Sequence, residues 1–372
     1  MFAGACALVC ACATESFPSK RPLTGAEIAA MSQTDLVLDE NNEGVGKSWF
    51  MTDSSAAGAQ YGLIGALVTA TMDAIMNAGP ARRAKQAANE VAEVVLAEKL
   101  NDSLHKQLDL DRAAADSGSG KVTIGSVTTI QKISHPAAPN DAVEVTVNYL
   151  LSEDASALRI VATASYENSA MPYHTPYPYK QSPPKAELTG PAYRNTFTYE
   201  SAHLPLPVLT PELKQRLIES VQRAYADTEV KFPAEQQADQ KRMNKELVEA
   251  NDDKLSKSEA SIFLVREWLK SDGSPLIQEI EKAHAFIAKY VLVDVNDTAV
   301  PRLTGEDRLV ETAADGRSVR MVGSGVASGS YVSSPGALTE FTTYGNAAEY
   351  PAANMERIKS LRAQAKLDAK AK

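Results

Sequence analysis

Between Val143 and Tyr166 the hydrophobic period is two, and no other stretch narrows the possible folds as much. Val143, Val145, Val147, Tyr149 and Leu151 alternate with polar residues, Ser152 to Ser156 supply turn chemistry, and Leu158, Ile160, Ala162, Ala164 and Tyr166 resume the alternation. Successive strand residues point to opposite faces, so this is the pattern of an antiparallel hairpin with one buried face. Residues 121–133 read as a neighbouring strand. Tyr193, Phe197 and Tyr199, with His203 beyond them, read as another with an aromatic side.

Helical periods flank this block. Residues 56–78 are the most apolar stretch outside the N-terminus, with small residues recurring at Gly58, Gly62, Ala66 and Ala70. They are expected to form a buried core helix. Insertion into a membrane is the sharper alternative, but only about 14 residues precede Asp73, short of a spanning length. Gly79-Pro80 is expected to end that helix and start a second, running to about Leu108, so that the two form a hairpin or kinked pair. Downstream, Thr210-Pro211 and Ser274-Pro275 mark helix starts, a charged stretch covers 235–257 and a further helix spans about 258–270. The expected fold class is therefore α+β: an N-terminal helical hairpin over 56–110, an antiparallel meander over 120–205, a helical C-terminal half over 210–295 and short strands over 300–345. These form one domain, 56–345, followed by a basic helix or tail over 346–372.

The ends carry different signals. Cys6, Cys10 and Cys12 are the only cysteines, so the following 360 residues admit no disulfide framework and no Cys-ligated metal. Residues 2–11 form an apolar run of signal-peptide length, and Val9-Cys10-Ala11-Cys12 resembles the lipobox of bacterial lipoproteins: an aliphatic residue, two positions, then the lipidated cysteine. The resemblance implies cleavage before Cys12, a lipid on its thiol and a membrane partner reached through that anchor. Met1 leads directly into the apolar run without a basic n-region, so translation is expected to start upstream. Ala13, rather than Asp, implies an outer-membrane address facing the periplasm. Residues 12–55, with Pro18, Pro22, Gly25, Gly44 and Gly46, are expected to form a tether and an irregular approach to the domain.

Motifs associated with chemistry are weak. Gly44 to Ser48 ends like a phosphate-binding loop, but Asn41 stands where the first glycine belongs and no strand is expected before it. Ser103 with Lys106, and Ser182 with Lys185, have a serine–lysine spacing without companion motifs. His105, His135, His174, His203 and His284 include no i, i+4 pair, and His284 lies on an apolar face. Asp294 to Thr298 offers oxygens to calcium but lacks a dedicated loop's glycine and glutamate. No cofactor, metal or nucleic-acid partner is expected.

Two features suggest a binding surface. Tyr173, Tyr177 and Tyr179 lie in a proline-stiffened loop, 171–184, and rigid aromatics lose little entropy on meeting an envelope protein or a glycan. Residues 356–372 hold six Lys/Arg against two acidic residues, a net +4 in a chain of −9, so the rest carries −13. That asymmetry suits an anionic lipid. The expected function is a non-catalytic binding or structural component of the envelope. The alternative is a periplasmic hydrolase using carboxylates scattered in sequence, such as Glu144, Glu153, Asp154 or Glu200.

Overall fold

The computed structural model describes residues 20–31, 33–54, 62–114, 121–131, 141–167, 191–226, 233–301, 305–325, 327–335 and 344–371. Cys12 and the Tyr173, Tyr177 and Tyr179 loop lie outside them. The protein is α+β: ten strands in one mixed sheet, with helices covering one face.

The alternating block forms the centre. Strands β4 (Ala142–Leu151), β5 (Leu158–Tyr166) and β6 (Tyr193–Glu200) pair antiparallel in unbroken register. Every apolar residue named for the first two strands is buried, which is what period two dictates when one face meets a core. Parallel pairings flank this meander: β9 (Tyr331–Pro335) joins β6, and β8 (Arg317–Met321) and β7 (Arg308–Thr312) continue to that edge.

The opposite flank departs from the sequence expectation. Residues 33–49, read as irregular approach, form β1 (Gln33–Asp39) and β2 (Val45–Trp49). Both lie parallel to β4, β1 on its first half and β2 on its second, like one strand interrupted by a bulge. Outside them the sheet forks. β3 (Thr123–Ile130) pairs parallel with β1, while β10 (Ala347–Glu349) pairs antiparallel with β2. Burial in mid-sheet is why the segment is ordered; its Pro and Gly residues fall mainly around the strands.

Asn41 holds the interruption together. Its side-chain amide donates to the Val147 carbonyl at 2.7 Å, and its side-chain oxygen accepts from Gly44 N at 2.7 Å. Gly44 has φ 76°, where a side chain would be strained and a Cβ would meet Asn354. Asn101 bonds both the amide and the carbonyl of Asn41, at 2.9 and 3.1 Å. Asn41→Ala therefore strands two buried backbone groups. It is expected to lower stability by about 2–3 kcal/mol, read as a lower urea midpoint with an unchanged slope; an unaltered midpoint would refute this account of the bulge.

The helical layer runs, in order across the sheet, α3 (Ala97–Ala114), α7 (Lys270–Asp294), α6 (Lys257–Trp268) and α2 (Gly62–Ala92). Before them comes α1 (Gly25–Met31); α4 (Pro211–Ala226) and α5 (Pro233–Glu249) form a satellite pair, and α8 (Ala352–Ala371) closes the chain. The break between the first two long helices lies at residues 93–96, not at Gly79-Pro80. Contacts on both sides of Pro80 outweigh its lost hydrogen bond: Asn77 exchanges two 2.8 Å bonds with the Thr52 backbone, and Arg83 pairs with Glu246 at 2.8 Å. Near Ser274-Pro275 the sequence signal is physical. Ser271, Asp272 and Gly273 all have positive φ, so regular helix resumes at the serine. Among the described residues, no helix is long and apolar enough to cross a membrane.

Candidate functional site

The first described residue is also among the most tightly held. Lys20 is buried, with its ammonium 2.9 Å from Asp294 and 2.7 Å from Asp297. Tyr193 and Asn195 each donate to Asp294 at 2.8 Å, and Asn195 also donates to the Gly329 carbonyl. Arg21 exchanges two backbone hydrogen bonds with Arg194. The acidic run that ends α7, considered above as a calcium loop, thus closes on an ammonium held between its two carboxylates. A buried charge needs such a partner.

Asp297 also lines a groove of about 780 Å³ between α3, the start of β3 and α7. Asn296 staples the start of β3 to the end of α7 there. It accepts from Val122 N at 2.7 Å and donates to the Val122 carbonyl at 3.3 Å, imitating a strand partner where β3 begins. Val122, Ile124 and Leu292 give the groove an apolar floor, with the exposed Ala285 beside them. Its rim carries Arg112, Lys121 and Lys289, with Asp111 among them. Arg112 is held by Asp109 at 2.8 Å and Lys289 by Glu311, while Lys121 makes no ion pair among the described residues. Burial pushes the Asp111 carboxyl above the usual carboxylate range, although Gln107 donates to it at 3.0 Å. An apolar floor with a few convergent polar groups is the usual make-up of a ligand site.

The groove, the Lys20 clamp and the root of the tyrosine loop share one end of the sheet. β3 begins opposite the start of β1, β1 lies along the first half of β4, and the start of β6 pairs with the end of β5 through Tyr193 and Tyr166. Those two tyrosines bracket the segment that contains Tyr173, Tyr177 and Tyr179.

Other sequence candidates resolve differently. A strand, β1, does precede Gly44, correcting the expectation, but Lys47 then lies inside β2 rather than at a helix N-terminus. Its ammonium donates to the carbonyls of Ser48 and Glu153, and burial lowers its pKa to about 8. The cavity beside it is about 120 Å³, room for a few waters. Ser103 pairs with His284 rather than with Lys106: its hydroxyl lies 3.0 Å from Nδ1, and the Tyr149 hydroxyl lies 2.8 Å from Nε2. Burial lowers the His284 pKa to about 3, so the imidazole is neutral and suits a packed core better than proton transfer. Asp154 accepts from Ser152 and Ser156, and Glu200 pairs with Arg159 at 2.6 Å. Neither these two nor Glu144 and Glu153 line the large groove.

The α8 face bearing Met355, Ile358, Leu361 and Ala365 is the covered one, with Ile358 fully buried, so it docks on the body. Gln107 and Asp111 share α3, but Lys121 lies just before β3 and Lys289 on α7, so no local spacing links the four and they escaped notice in the sequence. No family model, curated protein or solved structure matches the chain.

Proposed function

We propose that the protein is a lipid-anchored component of the bacterial envelope, attached through Cys12 at the outer membrane, facing the periplasm and acting by binding rather than catalysis. The observation that carries this reading is how closely the lipobox-like cysteine precedes the clamped Lys20. Eight residues reach at most about 26–29 Å when extended, so an anchor at Cys12 would hold the groove end of the body near the bilayer. The groove and the tyrosine-bearing segment are then the two binding elements.

The test is mass spectrometry of the mature N-terminus, for the chain expressed behind a basic n-region in a Gram-negative host. The expected mature form begins at an acylated Cys12, and Cys12→Ser abolishes the acylation and releases the body from membranes. Recovery of an unprocessed chain with a free Cys12 thiol overturns the reading.

A further inference from the structure

We propose that the groove between α3, β3 and α7 binds a single-chain anionic amphiphile, a long-chain carboxylate, with its alkyl chain on the Val122, Ile124 and Leu292 floor and its headgroup among Arg112, Lys121 and Lys289. The proposal deepens the binding role assigned to this groove and rests on that reading. Three observations select this occupant.

The first is charge. In a chain of net −9 the groove gathers three cations against two carboxylates. Asp297 is already matched by Lys20, Arg112 by Asp109 and Lys289 by Glu311, and Asp111 accepts from Gln107. Lys121, exposed and outside any ion pair among the described residues, is left to meet an anion. The second is the division of the surface: apolar residues line the floor and basic ones the rim, as a molecule with an alkyl chain and a charged head requires. The third is size. About 780 Å³ lies within the roughly 300–1,000 Å³ of pockets that enclose small ligands.

Binding is measured by titrating calorimetry with laurate below its micellar concentration, on the full chain carrying Cys12→Ser. Dodecyltrimethylammonium has the same chain length with the opposite charge and is the comparison. Laurate is expected to bind one per chain, at least about tenfold tighter than the cation, because complementary charge sets the preference. Ala285→Trp places a large side chain into the groove from an exposed position and is expected to weaken laurate at least about tenfold. Lys121→Glu is also at an exposed position and is expected to weaken laurate while improving the cation.

Equal binding of laurate and the cation, or laurate binding indifferent to both variants, overturns the proposal, as does no binding at all. The outcome is separate from anchoring. Laurate binding that responds to Ala285→Trp in a chain never acylated would leave the groove and remove the anchor, and an acylated chain without laurate binding would do the reverse.

Discussion

Between pH 7 and pH 4 the protein is expected to lose about 3 kcal/mol of folding stability through His284 alone. Its pKa is lowered by burial to about 3 in the folded chain, against 6.5 for an ordinary histidine. Below pH 6.5 the unfolded chain takes up a proton that the folded chain refuses. The contribution is therefore complete above pH 6.5 and lost as the pH falls toward 3, at about 1.4 kcal/mol per pH unit. The structural reason is local. The ring lies among buried side chains, between the hydroxyls of Ser103 and Tyr149, and no carboxylate is bonded to it to compensate a charge. Urea unfolding of the wild type and His284→Gln at both pH values checks this, since glutamine keeps hydrogen-bonding capacity but does not titrate. The variant's loss on acidification should be smaller by about 3 kcal/mol; parallel losses in the two proteins would refute the assignment.

The second large effect is expected at the Lys20 clamp. Asp294→Ala removes the acceptor of Tyr193 and Asn195 and half of the ammonium's counter-charge, all in a buried site. Breaking a buried pair from one side costs about 3–5 kcal/mol, because the partner charge stays behind without its match. Replacing both sides together, Lys20→Met with Asp294→Leu, leaves no orphaned charge between them and should recover much of that loss. Limited proteolysis gives an independent readout. Asp294→Ala should open the bonds after residue 20 to cleavage, whereas the double replacement should protect them. Equal protection in wild type and Asp294→Ala would show that the clamp does not hold the segment down.

These two sites differ in how far the sequence revealed them. His284 stood on an apolar helical face in the sequence, and the structure buries that face. Lys20 and Asp294 lie 274 positions apart, one in a stretch that read as tether and the other in a run weighed for calcium, and nothing local links them. The same contrast runs through the fold. The β4–β5 hairpin was legible because period two and turn chemistry agreed over adjacent residues. β1 and β2 were not, since strands buried in mid-sheet lose the alternation and the prolines and glycines around them suggested loop. Pro80 misled in the other direction: its helix-breaking tendency was real but was outweighed by contacts with Thr52 and Glu246 that only the folded chain makes. The groove was invisible for a simpler reason, being assembled from α3, the first residues of β3 and the C-terminal turns of α7.

The forked flank of the sheet also sets a timetable. β2 is covered on its outer side by β10, and Asn346 exchanges two hydrogen bonds with the backbone of Met51, 295 positions earlier. Asn354 likewise reaches back 311 positions to the Glu43 carbonyl, and Lys20 waits for Asp297. A chain emerging from its N-terminus cannot finish this side of the sheet until its last thirty residues arrive. Non-local pairing of this kind slows folding and leaves the early strands open in the interval. Such a chain would pass through a narrow exit still unfolded, and a copy truncated before β10 would emerge with the outer edge of β2 uncovered.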